Sequence, residues 1–249
     1  MVNQLRAAGV EDPELCVRFL EQDGKLTQEN INRLMDGEPI QYVLGNWEFY
    51  GMPLAMHPNV LIPRPDTEIL VDTAIAFLKS RTNPTFLDLG CGSGAITLAV
   101  MKHSGAQGTA LDKNPDAVAL TKQNATNNQL QPTTVLSGDL FNPPALPPFD
   151  AILSNPPYLD KRDMQELSVQ VQNEPETALY GGEDGLDYYR FIAPHYASYL
   201  KAGGALIFEI GHTQAKAVAA IVEAAGYVDI QIYKDYGGND RVVFCRRNV

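Results

Sequence analysis

The sequence predicts an α/β fold: a doubly wound, mainly parallel sheet of seven strands with one reversed strand, preceded by a small helical segment and a β-hairpin. Three observations carry this. From residue 84 onward, short apolar runs alternate with helical stretches, which is the pattern of stacked βα units. The last two runs are separated only by KDYGGND, too short for a helical crossover, so they pair antiparallel. Residues 1–36 show helical spacing and no strand alternation.

Taken in order, residues 1–36 read as short helices. Leu15, Val17, Phe19 and Leu20 share one apolar segment, and Ile31, Leu34 and Met35 share one helical face. Asp12-Pro13 and Thr27 followed by Asn30 are helix-start signals. So small a segment must pack its apolar face on something else. Next, Trp47, Phe49, Tyr50 and Leu54 surround Gly51, which reads as a hairpin. Pro63 and Pro65 stiffen the chain before a helix expected at 66–79, which Asp66 or Thr67 could cap. The candidate strands are then Thr85–Leu89, Gly108–Asp112, Thr133–Leu136, Ala151–Ser154, Ala205–Ile210, Asp229–Tyr233 and Arg241–Cys245. Helices are expected at 94–103, 115–128, 187–200 and 213–225. The division this gives is a helical domain at 1–37, a hairpin linker at 38–65 and the main domain at 66–249.

Composition narrows the function. The chain has 249 residues, 45% hydrophobic and 20% charged, the make-up of one large globular domain with a small addition. A net charge of −11 withholds the bulk attraction that drives binding to phosphate backbones. No nucleic-acid partner is therefore expected, whereas basic surfaces and small neutral substrates are easily accommodated. Cys16, Cys91 and Cys245 lie far apart, and His57, His103, His195 and His212 have no paired spacing, so neither a disulfide scaffold nor a metal site is expected. MVNQLRAAGVEDPEL lacks the apolar core of a signal peptide, and no uncharged stretch approaches a membrane span. The expectation is a soluble cytoplasmic protein with no membrane partner.

The chemistry is carried by one rim of the sheet. FLDLGCGSGAITLAV sets Asp88, Gly90, Cys91, Gly92, Ser93 and Gly94 between the first strand and first helix of the main domain, where ligands of such sheets bind. The spacing is not the Gly-x-Gly-x-x-Gly that seats a dinucleotide pyrophosphate. An acid two residues before Gly90 suits an ammonium-bearing cofactor, and S-adenosylmethionine has an ammonium and no phosphate. Asp112 ends the second strand, where a carboxylate can accept both ribose hydroxyls. Asp139 follows the third and could accept from the adenine amino group, with Leu140 packing on the purine. No histidine lies nearby in sequence to activate Cys91, which reads as a small residue fitting between glycines.

Asn155-Pro156-Pro157-Tyr158 follows the fourth strand on the same rim. Two prolines supply no N–H, so the turn offers carbonyl acceptors, and the Asn155 side-chain oxygen adds another. A substrate –NH₂ fits that acceptor pair, and Tyr158 could stack on a flat group. Acceptors there stabilise the positive charge that grows on nitrogen during in-line methyl transfer. These residues alone permit an amide or an adenine.

With these parts assembled, the chain resembles the class I methyltransferases and, more closely, the bacterial glutamine methyltransferases of peptide chain release factors. The resemblance rests on EPIQYVLG, EFYG, LIPRPDTE, DLGCGSGAI, ALDKNPDAVAL, SNPPY, EPETALYGGEDGLDYYR, EIG followed by Gln214, and DYGGNDRVV. It implies a Rossmann-like seven-stranded catalytic domain that uses S-adenosylmethionine and releases S-adenosylhomocysteine. The implied protein partner is a class I release factor, methylated on the glutamine of its Gly-Gly-Gln tripeptide. Gly90 to Gly94, Asp112 and Leu140 would bind cofactor; Asn155, Pro156, Pro157 and Tyr158 would hold the glutamine amide. Arg64, Glu68 and Glu174 would support the site, Arg64 either there or in a salt bridge fixing the linker. One departure is the segment before Gly37, shorter than the family's usual N-terminal domain. The rival readings are an adenine-specific DNA N6-methyltransferase, which would hold a flipped base in the same turn, and an NAD-dependent or non-catalytic binding protein.

Overall fold

The computed structural model describes residues 1–131 and 134–248. Four helices open the chain: α1 (Val2–Ala7), α2 (Pro13–Gln22), α3 (Gln28–Met35) and α4 (Ile40–Leu44). The Thr27 hydroxyl caps α3 by accepting from Asn30 N at 3.2 Å, while Asp12 precedes α2 with a left-handed φ of 45° and no side-chain cap bond. The helix α4 falls in a segment whose sequence suggests only a hairpin; Gly45, at φ 68°, ends it. Leu5, Leu20, Ile31, Leu34, Val43 and Leu44 form one buried cluster. Trp47 meets Phe19 edge-to-face at its margin, so the expected outside partner includes the hairpin.

The hairpin pairs β1 (Asn46–Phe49) with β2 (Met52–Ala55). Its two turn residues, Tyr50 and Gly51, both have positive φ, as a two-residue hairpin requires. A tyrosine tolerates that conformation here because its N–H donates to Glu68 Oε1 at 3.1 Å and its hydroxyl bonds Asp72. Both acids lie on α5 (Glu68–Leu78), which follows a 3₁₀ turn over Pro65–Thr67. Neither Asp66 nor Thr67 caps α5 as expected. Asp66 faces Arg241 at 3.2 Å, and the Thr67 hydroxyl oxygen accepts from Asn155 Nδ2 at 3.4 Å.

The main domain continues as β3 (Thr85–Leu89), α6 (Ala95–Ser104), β4 (Gln107–Asp112), α7 (Pro115–Asn127), β5 (Thr134–Ser137) and β6 (Phe149–Ser154). Then come α8 (Val169–Gln172), α9 (Asp187–Tyr196), β7 (Leu200–Glu209), α10 (Ala215–Ala224), β8 (Tyr227–Lys234) and β9 (Asp240–Arg247). The expected start of the third strand, Thr133, lies outside the described residues. The helix expected to reach residue 200 stops at Tyr196, because fully buried Leu200 already belongs to β7 and pairs with Phe149. The strand order is β5-β4-β3-β6-β7-β9-β8, with β3 to β7 parallel and β9 antiparallel to both neighbours, the reversed strand the sequence implies.

Strand alternation sorts the core. Phe86, Ala151, Leu153 and Ile207 face α5 and α6, whereas Leu87, Leu89, Ile152 and Leu206 face α9 and α10. The hairpin is fastened to the sheet's helical layer by fully buried Asn124 of α7. Its Oδ1 accepts from Ala55 N at 2.7 Å, and its Nδ2 donates to the carbonyls of Ala55 at 3.1 Å and Ser93 at 2.9 Å. Substituting Asn124→Ala strands the N–H and carbonyl of half-buried Ala55 and the carbonyl of buried Ser93, so we expect a loss of about 3 kcal/mol in denaturant unfolding. A loss under about 0.5 kcal/mol would show that the staple is redundant.

Candidate active site

Parallel pairing brings the carboxyl ends of β3, β4, β5 and β6 to one rim, and a single cleft of about 740 Å³, open solvent at its mouth included, lies there. The glycine turn forms its floor. Gly90 N and Cys91 N both donate to Leu111 O, at 2.9 and 3.2 Å. Gly92 N donates to Asp112 Oδ2 at 2.9 Å, and Asn114 N donates to Asp112 Oδ1 at 2.8 Å. Burial pushes the Asp112 carboxyl up, with the two backbone N–H bonds pulling the other way. Each carboxylate oxygen keeps a lone pair for a ligand. Gly94, at φ 82°, lies so close to Thr121 that a Cβ would stand 3.0 Å from its methyl group.

Of the residues singled out in the sequence, Gly90, Gly92, Asp112, Asp139, Leu140, Asn155 and Pro157 line this cleft. The others do not. Asp88 shares the strand face of Phe86 and points into the layer beneath, where Thr97 Oγ1 donates to its Oδ2. Cys91 is buried against Thr121 Oγ1 at 3.4 Å, and burial drives its thiol pKa upward. Ser93 is buried with its carbonyl on Asn124, and Gly94 faces Thr121. Pro156 is buried in the turn. The Tyr158 ring packs on the cluster around Tyr189, Phe208 and Ile210 instead of on the cleft wall. Burial, helped by Glu209, pushes its phenol up to about 12.

Arg64 and Glu68 of the linker motif, and Glu174, lie outside the cleft lining. Arg64 pairs with Glu174, whose other oxygen accepts from Ile62 N at 3.1 Å, and Glu174 is only 7% exposed. Arg64 is thus in the salt bridge that ties the linker to the segment after α8. Glu68 holds the hairpin turn through Tyr50 N.

The Asn155 turn is clamped on two sides. Gln214 donates from Nε2 to Tyr158 O at 2.9 Å and to Gly185 O at 3.2 Å, while its Oε1 accepts from Gly211 N. That bond uses one carbonyl the sequence suggested was open to substrate. A Cβ on Gly181 would stand 2.6 Å from Pro157 O, and one on Gly185 2.2 Å from Tyr158 O, so the loop GGEDG lies directly on the turn. Asn155 itself donates from Nδ2 to Thr67 Oγ1 at 3.4 Å. Among the described residues nothing donates to its Oδ1, which is the acceptor left to the cleft.

Several wall residues carry no local signal in the sequence. Asn59, Val60 and Leu61 of the linker close the cleft from outside, with Val60 packed on Ala117 and Leu120 of α7. Pro175, Thr177 and Ala178 fall in the EPETAL run, and Tyr188 in α9. Glu209 and Thr67, buried behind Asn155, belong to motifs noted only for resemblance. Among the described residues the one cationic wall residue is Lys113. Two aspartates, one lysine and apolar Leu111, Ala117, Leu140, Phe141 and Tyr188 suit a cationic ligand with a flat ring, and ill suit a pyrophosphate. Among the described residues no three or more His, Cys, Asp or Glu converge as a metal site, and no helix is long and apolar enough to cross a membrane.

Residues 66–178 match the family described as methyltransferase small domain. A release factor glutamine methyltransferase of Salmonella typhimurium is 41% identical over 266 aligned residues, covering 99% of this chain and 95% of that protein. One from Fusobacterium nucleatum subsp. nucleatum is 39% identical over 92% of this chain, which spans 66% of its length. A methyltransferase of Pyrococcus furiosus superposes with a TM-score of 0.64 at 17% identity, covering 90% of this chain and all of that one, a likeness of fold.

The buried acid beside the glycine turn titrates unusually. Burial raises the Asp88 carboxyl to about 7, opposed by the Thr97 hydrogen bond and helped by Asp112. An unfolded aspartate titrates near 3.9. The folded chain therefore binds its proton more tightly: the contribution to stability is intact below about pH 4, declines as pH rises towards 7 and stays lost above. Asp88→Asn removes this dependence. Its melting temperature should exceed the wild type's at pH 8 by several degrees, with the gap shrinking towards pH 4. A gap of constant size across that range in calorimetry would refute the assignment.

Proposed function

This chain belongs to the release factor glutamine methyltransferase family, and on that premise we propose that it transfers a methyl group from S-adenosylmethionine to the side-chain amide nitrogen of the Gly-Gly-Gln glutamine in class I peptide chain release factors. The observation that carries the reading is the orientation of Asn155: its Nδ2 is committed to Thr67, so its Oδ1 faces the cleft as an acceptor. We assign residues 1–37 to a helical domain, 38–65 to the hairpin linker and 66–249 to catalysis.

The walls fit the cofactor chemically. Asp112, with one lone pair free on each oxygen, would hold the ribose hydroxyls. Asp139 and Leu140 would meet the adenine, and the glycine turn would pass beneath the methionine portion, with Asp88, Cys91, Ser93 and Gly94 shaping the turn from below. When bound, S-adenosylmethionine supplies a methyl group on a positively charged sulfur.

The chain's own part is orientation and charge. Asn155 Oδ1 would accept one amide hydrogen of the glutamine, and the other would reach the backbone carbonyl of otherwise buried Pro156, which aims the remaining nitrogen face along the line of transfer. The positive charge that methyl transfer brings to that nitrogen would lie beside these acceptors. Preorganised acceptors stabilise that charge more than they stabilise the neutral amide, so they lower the barrier. The methylated nitrogen then loses a proton to water, and no protein base is needed. Tyr158, Arg64, Glu68 and Glu174 hold the turn and the linker around it.

With methyl-tritiated S-adenosylmethionine, the protein should label a release factor and fail on one whose tripeptide glutamine is changed to alanine. Label persisting on that variant, or appearing only on DNA, would sink the assignment. Asn155→Ala should lower kcat by about 10²–10³-fold while S-adenosylhomocysteine still binds.

A further inference from the structure

Glu209, the last residue of β7, is 1% exposed, and its Oε2 is buried with no hydrogen-bond partner. Among the described residues no cation pairs with it. Arg241, the nearest on β9, is engaged by Asp235 at 3.0 Å and Asp66 at 3.2 Å, and Arg64 by Glu174. A carboxylate buried without a counter-ion is a costly arrangement that packing alone does not require. One polar neighbour is present: the Thr67 side chain, itself 3% exposed, which favours the charged form of the Glu209 carboxylate. Its hydroxyl oxygen receives Asn155 Nδ2 at 3.4 Å.

The direction of these contacts is forced. A carboxylate only accepts, so the Thr67 proton points to Glu209 and the Thr67 oxygen presents lone pairs to Asn155. Asn155 must then turn Nδ2 towards Thr67, which leaves Oδ1 facing the cleft. The two ends of a carboxamide have nearly the same shape, and only the hydrogen-bond network decides which points where. Were the amide reversed, two N–H groups would meet the –NH₂ of the substrate. We propose that Glu209 and Thr67 are positioning residues: a buried carboxylate, acting through one hydroxyl, holds the Asn155 amide in its acceptor orientation. The proposal rests on the functional reading above.

The relay has a pH dependence. Burial raises Glu209 to about 7, against the Thr67 side chain and the attraction of Arg241. The other groups facing it are Asp66 and Arg64 before α5 and the phenols of Tyr158 and Tyr189. Once protonated, Glu209 can donate to Thr67, whose own proton is then released towards Asn155, and the amide loses its bias. Activity should fall as pH drops through about 7, and the same proton should register on Asn155.

Two measurements test this in the full-length protein. In steady-state kinetics with release factor, Thr67→Val should lower kcat at least about tenfold with KM for S-adenosylmethionine and S-adenosylhomocysteine affinity held within about twofold, and Thr67→Ser should restore most of it. A Thr67→Val enzyme within twofold of wild type, or a Thr67→Ser enzyme no better than Thr67→Val, would overturn the relay. In ¹⁵N NMR without substrate, the Asn155 side-chain NH₂ signal should titrate near pH 7 in the wild type and stay fixed in Glu209→Gln. A signal that does not move in the wild type overturns the relay even if the enzyme is active. A titrating signal in a protein that never labels release factor upholds the relay and rejects the substrate.

Discussion

The site depends on the bond from Gly92 N to Asp112 Oδ2. It closes the turn between β3 and α6 down on the end of β4, where Leu111 O already takes two more N–H groups. A carboxylate that accepts from backbone N–H groups is held in place by charge-assisted bonds, stronger than neutral ones. The helix after β4 then locks the turn from its other side. Thr121 Oγ1 donates to Gly92 O at 3.0 Å, and one turn further along α7 Asn124 Nδ2 donates to Ser93 O. Asn124 also carries the hairpin strand β2, and Ala117 and Leu120 of the same helix carry Val60. Glycine turn, hairpin and the linker wall are thus all referred to one helix, so the cleft's floor and outer wall keep their spacing.

That arrangement explains which parts were legible in the sequence. Seven strands were visible because each is a short apolar run bounded by turn residues, and the reversed strand followed from one short connection. Strand order was not written locally, and neither was α4, a five-residue helix too short for periodicity to reveal. For the site, chain topology sends the residues after each parallel strand to the same rim, so Asp112, Asp139 and Asn155 could be placed together. Side-chain direction was the harder quantity. Asp88 and Asp112 both stand near strand ends, yet alternation along β3 turns Asp88 under the turn to Thr97 while Asp112, at the last position of β4, opens to the cleft. Val60 and Thr67 reach the site only through the tertiary path of the linker, which no local pattern encodes.

The resemblance motifs that had no individual physical meaning form one packing unit around the Asn155 turn. Gly181 and Gly185 lie so close to Pro157 O and Tyr158 O that no Cβ could stand there. Leu159 N donates to Leu179 O and Gly181 N to Leu159 O, which lays EPETALYGG alongside the residues after the turn. Gln214, from the segment following β7, completes the clamp. Pieces separated by some sixty residues therefore hold a turn whose prolines provide little hydrogen bonding of their own. A turn poor in donors needs such external support, and this protein supplies it from loops and leaves the Asn155 oxygen uncommitted.

The electrostatics of the cleft follow from the same division. Asp112, Asp139 and a net charge of −11 favour a cationic ligand, with Lys113 the one opposing charge on the wall among the described residues. In the proposed transfer the positive charge does not vanish; it moves from one end of the cleft to the substrate nitrogen. A uniform negative field would stabilise the charge at both positions and leave the barrier unchanged. Only groups placed where the charge arrives can accelerate the step. In the proposed transfer the acceptor at Asn155 would therefore be the differential part, with the aspartates serving binding. A reversed Asn155 amide would convert that acceptor into a donor at the point of greatest charge. On the proposed reading, the orientation of a single carboxamide, rather than the number of acids on the wall, would set how well this cleft does its chemistry.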